Sequence, residues 1–243
     1  MKIRAAWFAA LWLLPSALVA QTPAVPTMDH EPHHHLALHN DYVKVFNVEV
    51  APGDSIILHS HDQDTIAIAI GDQLVTVGIP GKTVPQSKNA DGQVRLQRAG
   101  YIHSTHVDGD TPYHTVAVEL MQPQTKFVNG CAEIFPRQPL NCPVDDPGPS
   151  ATSVNLPLLE SNETRASLIS VLAHKSMKVG DSGPEVIVAL DVATISGTSK
   201  DPVKTLKPGD FVWLEGGTGQ ERSYKNDAAK DARFIKIDFK PAK

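Results

Sequence analysis

The chain has 243 residues, of which 41% are hydrophobic, 20% charged and 6% aromatic. This composition excludes a disordered polymer, a collagen-like repeat and a multi-span membrane protein. The 22 basic and 27 acidic residues give a formal net charge of -5, so no basic surplus is available for binding nucleic acid. One or two compact, β-rich domains are the remaining class.

The first twenty residues have the layout of a secretory signal peptide. Lys2 and Arg4 precede an apolar run at 5–14, and small residues follow as far as Ala20. The apolar run is shorter than the roughly 20 residues that a membrane-spanning helix needs. We therefore predict a signal peptide at 1–20, a secreted or periplasmic protein, and no stable membrane span once the peptide is removed.

Residues 21–38 are rich in proline and histidine and lack both helix and strand periodicity. We predict a flexible leader here, although a histidine tract of this kind can also collect metal ions. Farther along, Cys131 and Cys142 are the only cysteines and lie in a proline-rich stretch. In an oxidising compartment such a pair is expected to form a disulfide.

From Tyr42 onward the sequence alternates between apolar and polar residues in short runs separated by turn signals. These runs predict strands at 42–50, 55–59, 65–70, 74–79, 94–97 and 114–120. A second series follows at 166–172, 185–191, 211–215 and 232–239, and its turns resemble those of the first. The pattern predicts an all-β protein with a barrel at 39–122, a connector at 123–158 and a second barrel at 159–241.

Ten of the eleven histidines lie in the first half of the chain. His59 and His61 are two residues apart on a predicted strand, where side chains of that spacing point to one face and can bind a single ion. His103 follows a turn marked by Gly100 and supplies a third imidazole.

These residues resemble the cupin family, whose first motif is G-x5-H-x-H-x3-4-E-x6-G and whose second is G-x5-P-x-G-x2-H-x3-N. The positions that match are Gly53, His59, His61, Gly71, Gly92, Gly100 and His103. Arg98 stands where proline is usual, and Val107 stands where asparagine is usual. The resemblance implies two cupin-type barrels (double-stranded β-helices), the second degenerate, with His59, His61 and His103 as metal ligands in the first.

The glutamate of the first motif has two candidate counterparts here. Counting from His61 reaches Thr65, whereas counting back from Gly71 reaches Asp64. If Thr65 faces the interior, Ala67 and Ala69 do too and leave room around the metal; if Asp64 does, it is a candidate fourth ligand. Around the ligands, Thr65, Tyr101 and His106 are candidates for supporting or acid–base roles.

The second barrel lacks an equivalent histidine set. Aligning its strands with the first half places Val179 and Asp181 near the histidine pair, Glu185 near the carboxylate and Gln220 near the third histidine. His174 stands alone and is not expected to bind metal.

We therefore expect an exported cupin that binds one divalent metal ion (Fe, Mn, Zn, Ni or Cu) through three histidines. The leading functional hypothesis is a dioxygenase-type metalloenzyme that acts on a small molecule. The alternative is a non-catalytic module that binds a small ligand or a metal. The expected partners are small molecules and, in a homodimer, a second copy of the chain, with no nucleic acid.

Overall fold

A computed structural model of the chain describes residues 24–82, 85–135, 152–179, 183–196, 204–216 and 222–240. The predicted signal peptide and Cys142 lie outside these residues, so the signal and the Cys131–Cys142 disulfide stay predictions. Within the described ranges, the helical structure is one 3-10 turn at Met28–His30. No helix in the described part of the chain is long and apolar enough to cross a membrane.

The N-terminal half contains eleven strands: β1 (His34–His39), β2 (Val43–Val50), β3 (Ser55–Ser60), β4 (Thr65–Ala69), β5 (Gln73–Gly78), β6 (Ser87–Asn89), β7 (Val94–Gln97), β8 (Ile102–Val107), β9 (Tyr113–Leu120), β10 (Val128–Asn129) and β11 (Glu133–Phe135). Ten of them form two facing sheets, a larger one with the order β1-β2-β9-β4-β7-β11 and a smaller one with the order β3-β8-β5-β6. The sheets are antiparallel except that β11 pairs with β7 in parallel. The remaining strand, β10, pairs with a strand of the C-terminal half.

The C-terminal half repeats this arrangement, with sheets β10-β12-β13-β20-β15-β18 and β14-β19-β16-β17. Apart from β10 and β11, the strand order is the same in both halves, which confirms the all-β prediction of two related barrels. The strands are β12 (Ser153–Glu160), β13 (Thr164–Val171), β14 (Ser176–Val179), β15 (Glu185–Ala189), β16 (Ala193–Ser196), β17 (Lys204–Leu206), β18 (Phe211–Leu214), β19 (Arg222–Lys225) and β20 (Ala232–Phe239).

Two matching glycines fix the correspondence between the barrels residue by residue. The amide of Gly92 donates to Ala69 O at 2.9 Å, and the amide of Gly209 donates to Ala189 O at 2.9 Å. Both glycines have a positive φ, 76° and 86°, which L-residues with a side chain rarely adopt. Counting back four residues from each alanine pairs Thr65 of β4 with Glu185 of β15.

The two larger sheets pack against each other through their outer faces. Alternate residues of β4, including Ile66 and Ile68, join Val186 and Ile237 of the other half in one buried cluster. Because side chains alternate across a strand, Thr65 and Ala67 must point the opposite way, into the N-terminal barrel. The interface between the barrels therefore determines which face of β4 lines the interior.

The described part of the predicted leader is ordered, so that prediction is wrong from Met28 onward. Met28 and Glu31 are buried, and β1 pairs with β2 along its whole length. Strand β1 was not predicted because its inward side carries histidine rather than a row of aliphatic residues. The connector is also shorter than predicted: β11 joins the first barrel, and β12 already belongs to the second.

Candidate metal centre

The structure brings His59, His61 and His103 together inside the N-terminal barrel. A bulge in β3 between Ile56 and His59 turns His59 inward, opposite His103 on β8. His61 follows directly after β3, where its backbone amide donates to Tyr101 O at 3.0 Å. All three side chains are buried, and one nitrogen from each lies within 4.8 Å of the other two.

Hydrogen bonds leave the inner nitrogens of His59 and His61 without a proton. His59 Nδ1 donates to Ile57 O at 2.9 Å. His61 Nδ1 lies 3.1 Å from Thr65 Oγ1, and that hydroxyl donates its single proton to Gln63 O at 3.2 Å. Thr65 must therefore accept from His61, so Nε2 is the nitrogen with a free lone pair in both rings. Metal-binding histidines use this tautomer, held in place by a bond at the other nitrogen.

One nitrogen of each ring points toward the other two rings. His61 Nε2 lies 3.0 Å from His103 Nε2, within hydrogen-bond distance, and His59 Nε2 is buried with no hydrogen-bond partner. Two ligands of one ion, each about 2.1 Å from it and at right angles, would also be about 3.0 Å apart. An imidazole-only donor set with converging nitrogens therefore fits a divalent transition metal.

Burial keeps the three imidazoles neutral. Desolvation lowers the pKa of His59, lowers that of His61 to about 3 and lowers that of His103 well below its ordinary value. The neighbouring rings reinforce the shift in His61 and His103, because each disfavours charge on the others. The neutral ring is the form that coordinates a metal.

Of the two candidates for the motif's glutamate position, Thr65 faces the histidines. The Asp64 carboxylate instead accepts hydrogen bonds from Arg98 Nε and from the amide of Ala99, both at 2.9 Å. Asp64 is not part of the three-histidine group. The structure thus gives no support to Asp64 as a fourth ligand, because other donors already hold its carboxylate.

Tyr101 lies beside the centre, whereas His106 does not. The Tyr101 ring is 4.8 Å from the His103 ring at an angle of 28°, and burial raises the pKa of its phenol. His106 lies three residues after His103 in β8 and therefore on the opposite, solvent-facing side, where Nδ1 is 2.8 Å from Ser55 Oγ. Of the candidates for a supporting or acid–base role, His106 is therefore the one that the structure places away from the three histidines.

Sequence reasoning missed two residues next to His59. The His34 ring is 4.9 Å from the His59 ring, and His34 Nδ1 lies 2.7 Å from a carboxylate oxygen of Glu31. Burial opposes ionisation of Glu31, but bonds from the His34 ring and the His33 amide lower its pKa to about 2. The only sequence signal was the His-Glu-Pro-His tract, which lacks strand periodicity.

A polar row on three adjacent strands was also missed. Gln97 and Glu119 flank Thr65 in register on β7 and β9. Gln97 Nε2 lies 3.5 Å from His103 Nε2. Burial raises the pKa of Glu119, whose carboxylate is 3.5 Å from Lys44 Nζ. The interior around the histidines is therefore polar rather than aliphatic.

At the corresponding place, the second barrel contains an ionic cluster. Glu185 lies 2.9 Å from Arg222 Nη1, accepts from Tyr224 Oη at 2.8 Å and is 3.6 Å from Lys236 Nζ. Glu185 occupies the position that corresponds to Thr65, as the sequence alignment of the two halves predicts. Val179 pairs with Arg222 as Ile56 pairs with Thr105 in the first barrel, so Val179 corresponds to Ile56 and not to a histidine. Asp181 and Gln220 lie outside the described residues.

Comparison with known proteins gives the fold. No family model and no curated protein matches the sequence. Among solved structures, AerE from Microcystis aeruginosa is similar over 87% of this chain and 99% of its own, with a TM-score of 0.56 and 12% identity. A cupin 2 conserved barrel domain protein from Leptotrichia buccalis is similar over 84% of this chain and 87% of its own, with a TM-score of 0.53 and 10% identity. Salicylate 1,2-dioxygenase from Pseudoaminobacter salicylatoxidans is similar over 82% of this chain and 68% of its own, with a TM-score of 0.55 and 11% identity.

The chain is thus an all-β protein of two barrels with the fold of the cupin superfamily. Its N-terminal barrel contains a three-histidine group suited to one metal ion.

Proposed function

We propose that this chain is an exported metalloenzyme of the dioxygenase type, which binds one divalent metal through His59, His61 and His103 and acts on a small molecule. The observation that carries the proposal is the convergence of three buried, neutral imidazoles, with one nitrogen of each ring within 4.8 Å of the other two. Among them, His59 Nε2 is buried with no hydrogen-bond partner. A metal ion would give this nitrogen a partner and bind all three rings.

The residues around the histidines have defined tasks in this proposal. Thr65 holds His61 in its ligating tautomer, and the Ile57 carbonyl does the same for His59. The stacked Tyr101 phenol is placed to donate a proton to a ligand beside His103. A bound metal would supply Lewis acidity and open coordination positions for substrate oxygen or dioxygen.

Dioxygenase chemistry is preferred because the site has three neutral imidazoles and no carboxylate, which leaves positions for two exogenous ligands. A salicylate 1,2-dioxygenase is among the proteins of similar fold. At this low identity the similarity concerns the fold alone, so the choice of reaction rests on the donor set. The same donors also suit zinc, nickel and copper, and the metal must therefore be measured.

The test is metal analysis of protein recovered from an oxidising compartment, followed by measurement of oxygen uptake with a panel of small aromatic and aliphatic substrates. We expect about one redox-active ion per chain and substrate-dependent uptake of oxygen. His61→Ala should lose most of the metal, whereas His174→Ala, at an exposed lone histidine, should retain it. Retention of one ion per chain by His59→Ala, His61→Ala and His103→Ala would refute the site.

A second outcome would favour the alternative function. Zinc or no metal, combined with stabilisation by a small ligand and no turnover, would indicate a binding module rather than an enzyme. Export is tested separately, by determining the N-terminal residue of protein isolated from the periplasm or medium. An intact Met1 in that material would contradict removal of 1–20.

A further inference from the structure

The interior of the N-terminal barrel contains a buried arginine without a counter-ion. Arg95 lies on β7, on the same face as Gln97, and is 6% exposed. Its Nη1 donates to Asn89 Oδ1 at 3.1 Å, while its Nε has no hydrogen-bond partner. Among the residues that the structure describes, no carboxylate oxygen lies within 4.0 Å of the guanidinium.

A buried, unpaired charge is costly, and proteins normally pair or remove it. The second barrel does so, because Arg222 is placed against Glu185 at 2.9 Å. In the first barrel the nearest acidic residue in register with Arg95 is Glu133 on β11, which accepts from the Gln93 side chain at 3.1 Å instead. Among the described residues, Arg95 therefore has no anionic partner and is available to an anionic ligand.

The space beside Arg95 is lined by small side chains. Ala67 pairs with Arg95 in register, and Ala117 pairs with Ala67 on the next strand. In the second barrel the matching positions carry the large side chains of Ile187 and Lys236. The N-terminal interior is thus wider at this level, one layer below the histidines.

The inward-facing residues at this level keep a small accessible surface. Arg95 is 6% exposed, and Ala67 and Ala117 are each 3% exposed. The neighbouring residues that face the other barrel have none; these are Ile66, Ile68, Leu96 and Val118, each at 0%.

We propose that Arg95 anchors the carboxylate of a small monoanionic ligand bound in the N-terminal barrel beside His59, His61 and His103. The proposal deepens the proposed function and relies on it for the metal, but not for the anion. A planar carboxylate matches the fork of the guanidinium. A phosphate dianion would bring a second negative charge, for which this face offers no second unpaired cation, because Lys44 already pairs with Asp29 at 2.6 Å.

The test measures binding of simple probes to two preparations of the full chain, one treated with a chelator and one loaded with metal. The probes are acetate and benzoate, with acetamide and benzamide as neutral counterparts and inorganic phosphate as the competing anion. We expect a carboxylate to bind the unaltered chain and the amides not to bind. Arg95→Met should weaken carboxylate binding about tenfold or more, through loss of a charge-assisted bond. Arg165→Met removes an exposed arginine and serves as the matched control.

Stability provides a second readout. Because Arg95→Met removes an unpaired buried charge, its Tm without ligand should equal or exceed that of the unaltered chain. Arg95→Lys keeps the charge but loses the fork, and it should bind carboxylates more weakly. Equal carboxylate affinity in Arg95→Met and the unaltered chain, tighter binding of phosphate, or equal binding of the amides would each overturn the proposal.

Metal analysis separates this proposal from the proposed function. Carboxylate binding that depends on Arg95, in a chain that takes up no metal even when metal is added in excess, would support the anchor and refute the metal centre. Stoichiometric metal binding without any Arg95-dependent carboxylate binding would support the metal centre and refute the anchor.

Discussion

The two barrels have the same strand order but differ in how they treat a buried charge. In the C-terminal barrel, Glu185 lies within 4.0 Å of Arg222 and Lys236, so the buried carboxylate has partners of opposite charge. In the N-terminal barrel, no carboxylate of the described residues lies that close to Arg95. Both barrels contain buried polar atoms without a hydrogen-bond partner, so an unpaired charge and three converging imidazoles are what distinguish the first as a candidate binding site.

The comparison also shows that one barrel fold accommodates two different polar interiors. At the position where the first barrel has Thr65, the second has a carboxylate held by an arginine from the facing sheet. A buried ion pair adds little net stability, because desolvation of both charges offsets their attraction. Loss of either partner, however, leaves an uncompensated charge, so the pair is fixed once it has formed.

The largest expected effect is therefore that of Arg222→Met, which removes the guanidinium 2.9 Å from Glu185 and leaves Lys236 Nζ, at 3.6 Å, as the nearest positive charge. Breaking a buried pair in this way typically costs about 3 to 5 kcal/mol, and we expect a loss of that size in urea unfolding. The double variant Arg222→Met with Glu185→Leu should recover most of it. Arg165→Met, whose partner Glu160 is exposed, should change stability by less than about 1 kcal/mol. A cost no greater than that of Arg165→Met would show that the two barrels do not differ in this respect.

The next effect concerns Glu31, which fixes the N-terminal segment to the first barrel. Its pKa is about 2 in the folded chain against 4.5 ordinarily, so the folded state favours the ionised form. The resulting stability is fully present above about pH 4.5 and is lost as the pH falls toward 2, with an upper limit of about 3 kcal/mol. Glu31→Gln should lower Tm at pH 7 and flatten its dependence between pH 4.5 and 2.

The control for Glu31 is Asp110→Asn, at an exposed carboxylate in the turn between β8 and β9. This change should leave the fall in stability at low pH almost unaltered. A curve for Glu31→Gln that matches that of the unaltered chain would mean that the bonds of Glu31 to His33 and His34 do not stabilise the fold.

Much of this architecture was predictable, because it follows from period-two patterning. The strands at 65–70, 94–97 and 232–239 were predicted within one residue of β4, β7 and β20, since their alternating residues pack on an aliphatic core. β14 and β19 were missed. Ser176–Val179 alternates over only four residues, and the inward-facing positions of Arg222–Lys225 are Arg222 and Tyr224 rather than aliphatic residues. Pattern reasoning detects burial of apolar groups and does not detect burial of ion pairs.

The site was predictable to the same extent. His59, His61 and His103 were identified by spacing, and the structure brings them together. The orientation of β4 was left open between Asp64 and Thr65, because the residues that decide it lie in the other barrel. Packing of Ile66 and Ile68 against Val186 settles the face, and this long-range contact has no local sequence signal.

A smaller effect is expected at Thr65, which supports a ligand without being one. Thr65→Val keeps the shape of the side chain but removes the acceptor for His61 Nδ1, so the ring loses its fixed tautomer. Changes of this kind typically weaken metal affinity about 10- to 100-fold. Thr65→Ser should retain affinity, and Thr194→Val, at an exposed threonine of the second barrel, serves as the control. Unchanged affinity in Thr65→Val would mean that the hydroxyl does not position His61.

The smallest effect is expected at Asp64, and it decides between the two counting schemes for the motif. The Asp64 carboxylate is held by Arg98 and the Ala99 amide, so Asp64→Asn removes a charge outside the histidine cluster. An asparagine oxygen can still accept from the Ala99 amide, so the metal content should match that of the unaltered chain. The metal content of Asp64→Asn and that of Thr65→Val are measured under the same conditions. Loss of the ion in Asp64→Asn, with retention in Thr65→Val, would place a carboxylate in the metal's coordination sphere and leave fewer positions for dioxygen and substrate.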